Sequence, residues 1–234
     1  MGSEDLGLPK QPGGTAPHVL VDNVAEPVLG EDDVHHVVKV RRLRDGDLLS
    51  VTDGRGSWRW CAIAGSRLDP LSDPEFVPAS APALSVGFAL VKGSKPELMV
   101  QKLTELGIDN ILPFVADRSV VRWDEAKVDR NHDRLVKVSR EASMQSRRVW
   151  LPTVSLTHTF AELAATDGAV RADRDGAQLT SSHTTVLIGP EGGWSEAEAI
   201  ASPAVGLGAT VLRSETAAIS AGVLMMAFRD GNLR

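Results

Sequence analysis

Apolar and polar positions along this chain change their rhythm near residue 80. Before that point, apolar residues come in short runs broken by turn residues. Positions 18–23 read as a first strand, Arg44-Asp-Gly-Asp47 as a turn into a strand at 48–52, and Asp53-Gly-Arg-Gly56 as a hairpin turn into a strand at 58–64. The stretch 31–40 predicts a helix with acids at its start, where they suit the helix dipole. Short strands joined by tight turns predict a small barrel. Four prolines at 70, 74, 78 and 82 mark a linker or irregular edge, and the domain boundary is expected there.

From Leu84 onward, strands and helices alternate. Positions 84–91 form a near-continuous apolar run, as expected of a strand buried on both faces. Ser94-Lys-Pro-Glu97 predicts a capping box with proline in the first turn, and Gly107 ends that helix. A strand is expected at 110–115, then a long helix capped by Asp124 and running to about Arg147. A short helix at 160–165 and a short strand at 168–172 follow. Two strand–loop–helix units close the chain. One runs from a strand at 184–188 through Gly189-Pro-Glu-Gly-Gly193 to a helix opened by the box Ser195-Glu-Ala-Glu198. The other runs from a strand at 209–213 through Ser214-Glu-Thr216 to a helix ending near Phe228. Such alternation predicts an α/β domain with a parallel sheet, whose ligands bind beyond the carboxyl ends of the strands. Both loops lie there.

Composition narrows the classes. Cys61 is the only cysteine, and the six histidines show no ligand spacing, so neither a disulfide framework nor a metal site is expected. No stretch has the roughly 18 apolar residues of a membrane span, and the Gly/Pro-rich start reads as a mobile tail rather than a signal peptide; a cytoplasmic protein is expected. The net charge of −6 does not favour nucleic acid, yet local basic clusters can still bind it. Two exist: Lys39, Arg41, Arg42 and Arg44, and Lys137, Arg140, Arg147 and Arg148. Each reads either as a solvated face or as a phosphate-holding patch.

The loop 189–193 has three glycines and a proline in five residues. It can present backbone groups to a flat heterocycle, or be a plain tight turn. It is neither a Walker loop nor a G-x-G-x-x-G turn. Between Thr216 and Phe228 the last helix is apolar nearly all round, which asks for burial on both faces. Its outer face would pack against a second subunit or under the first domain.

Leu187-Ile-Gly-Pro-Glu-Gly-Gly193, followed by Leu207-Gly-Ala-Thr-Val-Leu-Arg-Ser-Glu-Thr-Ala217, resembles the cofactor-binding end of the SPOUT methyltransferases. Within them the chain is similar to the 16S rRNA uracil-N3 methyltransferase (RsmE) family. Lys95-Pro-Glu97, Gln101-Lys102, Glu105-Leu-Gly107, Arg118-Ser119 and Gln145-Ser-Arg-Arg148 carry the resemblance upstream. His36, Val40, Arg42, Gly46-Asp47 and Asp53-Gly54 resemble that family's PUA-like barrel. His18 stands where the family more often has arginine, and Val170-Arg-Ala-Asp173 departs from its commoner first loop.

The resemblance implies an α/β fold: a SPOUT-type parallel sheet with a C-terminal trefoil knot, preceded by a small PUA-like β-barrel domain. The expected division is a tail at 1–16, a barrel at 17–79 and a methyltransferase domain at 80–234. It implies S-adenosylmethionine held by Ala172, by Ile188, Gly189, Pro190, Glu191, Gly192 and Gly193, and by Leu207, Gly208, Val211, Leu212, Arg213, Thr216 and Ala217. It also implies 16S rRNA of the small ribosomal subunit as substrate and a homodimer through the last helix. Methylation of uracil N3 needs loss of its proton, to a base or with cations stabilising the anion. The candidates are Arg148 and Arg118 as cations, Gln145 to orient the base, and Glu191 for proton removal. Lys39, Arg41, Arg42 and Arg44 would hold phosphates. Alternatives are a SPOUT enzyme acting on a ribose 2′-hydroxyl or a tRNA base, and a non-catalytic RNA-binding protein.

Overall fold

The structure is a computed structural model that describes residues 7–30, 43–65 and 67–233. The helix expected at 31–40, with His36, Lys39, Val40, Arg41 and Arg42, lies outside the described residues. The chain forms two compact units, one of Met1–Ala79 with Ser143–Leu151 and one of Ser80–Ala142 with Pro152–Arg234.

In the first unit, β1 (His18–Leu20), β2 (Leu48–Thr52), β3 (Ser57–Ala64), β4 (Arg67–Pro70) and β5 (Glu75–Phe76) form a mixed sheet in the order β1-β2-β3-β4, with β5 also on β3. Only the β1–β2 pair is parallel. Alternate residues of β3 turn inward, where Cys61 and Ile63 join Val19, Val21, Leu49, Val51 and Leu68 in the core. Met144, from the returning segment 143–151, packs on that core. The proline-rich stretch expected as linker begins inside this sheet. Pro70 ends β4 opposite Cys61, and Phe76 pairs with Ser57. Proline is tolerated there because an edge strand need not donate on its outer side.

The second unit contains β6 (Ser85–Ala89), α1 (Lys95–Leu106), β7 (Asn110–Val115), α2 (Glu125–Ser146), β8 (Thr153–Val154), β9 (His158–Thr159), α3 (Phe160–Ala164), β10 (Ala169–Gln178), β11 (Thr185–Ile188), α4 (Glu196–Ala201), β12 (Ala204–Gly206) and α5 (Ser214–Arg229). The last turn of α2 belongs to the first unit. Every strand pairing is parallel, in the order β12-β10-β11-β6-β7-β8, with β9 beside β7. Both faces of this sheet are covered, as parallel sheets require. Val86, Phe88, Val186 and Ile188 face one apolar cluster, with Met99 and Leu103 of α1 and Ala218 and Ala221 of α5. Ala89 and Leu187 face the other, with Phe114, Phe160 and Leu163.

Two local expectations fail for identifiable reasons. Ser94 makes no side-chain cap on α1; Glu97, expected to complete the box, instead meets Arg134 of α2 at 2.6 Å. The box Ser195–Glu198 does form on α4. The strand expected at 209–213 is loop, and the last strand is Ala204–Gly206. Its ladder partner β10 ends at Gln178, opposite Gly206, so residues farther on have no strand to pair with. Val211 is consequently 78% exposed.

Candidate active site

Three chain segments beyond the carboxyl ends of neighbouring strands enclose one cavity of about 520 Å³. The first is 172–175, an excursion within β10. The register of β10 against β12 shifts between Ala172 and Ala177, and the four residues between them bulge out of the ladder. The second is 188–191 with Gly193 and Trp194, directly after β11. The third comprises Leu207, Gly208, 210–214 and Ala217, between β12 and the first turn of α5. A site at the carboxyl ends of parallel strands is the usual place for a ligand in such a sheet.

Side chains fasten the three segments to one another. The Trp194 indole Nε1 donates to the Ala172 carbonyl at 2.9 Å, joining the second segment to the first. Its ring stacks on Phe114, with planes 2° apart, and touches Phe160. Gly189 passes so close to this ring that a Cβ would stand 2.9 Å from it. The Ser214 hydroxyl donates to the Gly189 carbonyl at 3.1 Å, joining the third segment to the second. Lys95, at the start of α1, reaches Glu191 at 2.6 Å and Glu215 at 3.5 Å.

These contacts set the charges. The hydrogen bond from Lys95 holds the Glu191 carboxyl below the usual glutamate range, and the same bond raises the Lys95 ammonium. Glu191 is therefore a carboxylate already engaged by a cation, which makes it a weak proton acceptor. Asp173, at the cavity wall, is paired with Arg171, whose Nε donates to the Ser202 carbonyl from a buried position.

Of the residues expected to hold a cofactor, Ala172, Ile188, Gly189, Pro190, Glu191, Gly193, Leu207, Gly208, Val211, Leu212, Arg213 and Ala217 line the cavity. Gly192 and Thr216 are not among the lining residues. A Cβ on Gly192 would meet Arg118 Cβ at 3.3 Å, so this glycine faces Arg118. Arg118 in turn donates from Nη1 to the Gly192 carbonyl at 3.2 Å. Its loop is held by the buried Glu198 carboxylate, which accepts from the Asp117 and Ser195 amides. Gln145 and Arg148 belong to the first unit, where Arg148 Nε donates to the Trp150 carbonyl at 3.0 Å. Arg44 is exposed, and its amide donates to Asp47.

Sequence reasoning missed Trp194, and it named Lys95 and Asp173 only within motifs, without the ion pairs they make. Trp194 follows the Gly-rich loop directly, and an aromatic there was the available signal. His18 is buried, and its environment fixes its state. Nε2 donates to the Arg148 carbonyl at 3.1 Å, so Nδ1 of the neutral ring accepts from the Ser50 hydroxyl at 2.8 Å. Burial lowers its pKa from the ordinary 6.5 to about 4. It is a neutral packing residue in the first unit.

Residues 79–226 match the family described as RNA methyltransferase domain, and residues 29–67 match the RNA methyltransferase PUA domain. Among similar proteins is Ribosomal RNA small subunit methyltransferase E of Mycobacterium tuberculosis, 34% identical over 85% of each chain. That of Bacillus subtilis is 30% identical over 81% of this chain and 85% of its own. The solved structure of Ribosomal RNA small subunit methyltransferase E from Neisseria gonorrhoeae, bound to S-adenosyl methionine, superposes with a TM-score of 0.75. It covers 91% of this chain and 97% of its own at 21% identity, and so speaks for the fold. Fold, cavity and family matches thus define an RNA methyltransferase with a PUA domain. The chain belongs to the ribosomal RNA small subunit methyltransferase E family.

Proposed function

We propose that this chain methylates N3 of a uridine in 16S rRNA of the small ribosomal subunit, using S-adenosylmethionine. The observation that carries this reading is the cavity of three fastened loops, in a chain of this family. Its residues fit the cofactor. Ile188, Leu207, Val211, Leu212 and Ala217 offer apolar walls to a flat base, and Gly189 and Gly193 bring backbone close. The lining also carries charge of both signs, the carboxylates of Asp173, Asp175 and Glu191 paired with Arg171, Arg174 and Lys95, and the guanidinium of Arg213. When bound, the cofactor supplies a methyl group already activated on a sulfonium.

The protein's own task is then positioning and charge. Trp194, Ser214 and Lys95 hold the loops in one arrangement, and alignment of reactants lowers such barriers greatly. As uracil N3 loses its proton, negative charge develops on O2 and O4. Arg118, fixed beside Gly192, and Arg148 are the cations we assign to it, with Gln145 orienting the base. Glu191, held as a carboxylate by Lys95, serves to order its loop, and the proton passes to solvent. Lys39, Arg41, Arg42 and Arg44 hold RNA phosphates in this reading. The target edge is a pairing edge, so the uridine must be unpaired or flipped out.

A second copy of the chain is assigned to the open face of α5. Thr216, Ser220, Val223 and Ala227 follow one another at helical spacing there, and Val223 is 46% exposed. Val223→Asp is expected to shift the protein to monomer in sedimentation; an unchanged mass would remove this face from any dimer. The cytoplasm, where small subunits assemble, is the compartment that fits. Among the described residues no helix is long and apolar enough to cross a membrane.

The deciding experiment is methyl transfer from labelled S-adenosylmethionine to small subunits lacking the modification, followed by digestion to nucleosides. 3-Methyluridine is expected. A different methylated nucleoside would move the chain to another SPOUT specificity, and no transfer despite cofactor binding would sink the substrate assignment.

A further inference from the structure

The chain has five tryptophans and five phenylalanines, and among the described residues only Phe76 is exposed, at 64%. A single exposed apolar side chain is ordinary, and what sets Phe76 apart is the support it rests on. Its surroundings are built rather than accidental. Phe76 meets Trp150 edge-to-face, with ring centroids 6.2 Å apart. The Trp150 indole is itself pinned, its Nε1 donating to the Val77 carbonyl at 2.8 Å. It lies across Gly56, where a Cβ would stand 2.8 Å from the ring. Gly56 also has φ +98°, a backbone conformation that favours glycine. Glycine is thus needed at 56 both for the turn and for the indole.

Cations flank the pair. Arg55 forms an antiparallel bridge with Trp150, and bridged partners place their side chains on the same face. Arg55 is exposed, so its guanidinium stands free to reach a phosphate or a base plane. Arg148 donates from Nε to the carbonyl of the same residue, Trp150. An exposed ring on a fixed aromatic support, with arginine beside it, is the arrangement that binds an unpaired nucleobase: the ring stacks on the base and the cation meets the backbone.

We propose that Phe76, Trp150 and Arg55 form a stacking platform for an unpaired base of the RNA substrate. The proposal rests on the reading that this chain acts on RNA, and it adds a contact within the first unit. Stacking tolerates any base, so the platform contributes affinity for single-stranded RNA with little sequence preference.

The test uses the full chain and fluorescence anisotropy with a short labelled single-stranded oligoribonucleotide, beside a hairpin duplex of the same composition. Phe76→Ala is expected to weaken single-strand binding about tenfold and to leave duplex binding nearly unchanged. Its thermal midpoint and its affinity for S-adenosylmethionine should stay those of the wild type, because the ring is exposed. Phe76→Trp should restore binding and Phe76→Leu should not, since leucine is apolar but cannot stack. Wild-type affinity in Phe76→Ala, or full rescue by leucine, would overturn the platform. So would a variant that binds naked RNA normally but fails on assembled subunits, which would make the ring a contact for a ribosomal protein. Failure of the wild type to bind either RNA or subunits would instead remove the RNA reading, and the platform with it.

Discussion

His18 and Lys95 are both basic side chains near the start of their unit, and the two units treat them in opposite ways. The small sheet takes the His18 ring inside, satisfies both nitrogens with Ser50 and Arg148, and keeps it neutral. Cys61 is handled likewise, burial pushing its thiol up to about 11. The Arg59 guanidinium donates to the carbonyls of Ser72, Val24 and Ala25. In the second unit Lys95 stays partly in water, charged, and reaches the carboxylates of two different segments. His18 and Arg59 thus tie the small sheet together from within, whereas Lys95 bridges loop ends. The parallel unit buries charged groups too, Arg171 and Glu198, but both fasten loops rather than strands. The difference follows from architecture. A sheet covered on both faces by helices has its free positions beyond the strand ends, whereas a small mixed sheet must satisfy its own polar interior.

The largest effect that would test this contrast falls on the cavity's frame. A Cβ on Gly176 would lie 2.4 Å from the Val205 backbone, which cannot rotate aside. Gly176→Ala is therefore expected to part β10 from β12, costing about 3 kcal/mol in chemical denaturation and abolishing cofactor binding by calorimetry. A stable variant with normal affinity would mean that the excursion at 172–175 does not shape the cavity.

Acid should act on the small unit. The folded pKa of His18 is depressed, so the unfolded chain binds its proton first and stability falls as pH drops from about 6.5 towards 4. The full loss is about 3 kcal/mol and is absent above pH 7. His18→Gln should flatten this part of the stability–pH curve; an unaltered curve would place the sensitivity elsewhere.

Next come the cations assigned to chemistry. Arg118→Ala and Arg148→Ala should each keep cofactor affinity and lower kcat about 100-fold, the usual cost of removing one group that stabilises developing charge. Wild-type turnover in either variant removes that residue from the mechanism. The smallest effect is expected at Lys95. Lys95→Met frees Glu191 and Glu215 to repel, so the KM for S-adenosylmethionine should rise a few-fold with kcat little changed. The difference from wild type should shrink at high salt, because the pair is partly exposed. An equal fall in kcat would give Lys95 a direct role in transfer.

Much of this protein was legible along the chain, because its strongest signals are local. Continuous apolar runs marked β6 and β11, since strands covered on both faces carry no polar alternation. Gly107, with φ +98°, marked the end of α1. The box Ser195–Glu198 opened α4 as its spacing predicts. The Gly-rich loop 189–193 was placed directly after a parallel strand, and β11 ends at Ile188.

What only the tertiary structure decided depends on partners distant in sequence. Ser94-Lys-Pro-Glu97 has the same box spacing as Ser195–Glu198, yet Glu97 is drawn off by Arg134 on a neighbouring helix. Residues 209–213 have the composition of a strand but no neighbour to pair with, and so become a wall of the cavity. Residues 143–151 follow the linker in sequence yet join the small unit, bringing the Arg148 carbonyl to His18 and the Trp150 indole to Gly56. Local pattern determines which segments become helix, strand or turn. Which groups meet, and therefore which are charged, buried or free to act, is fixed by long-range packing that no single stretch of sequence contains.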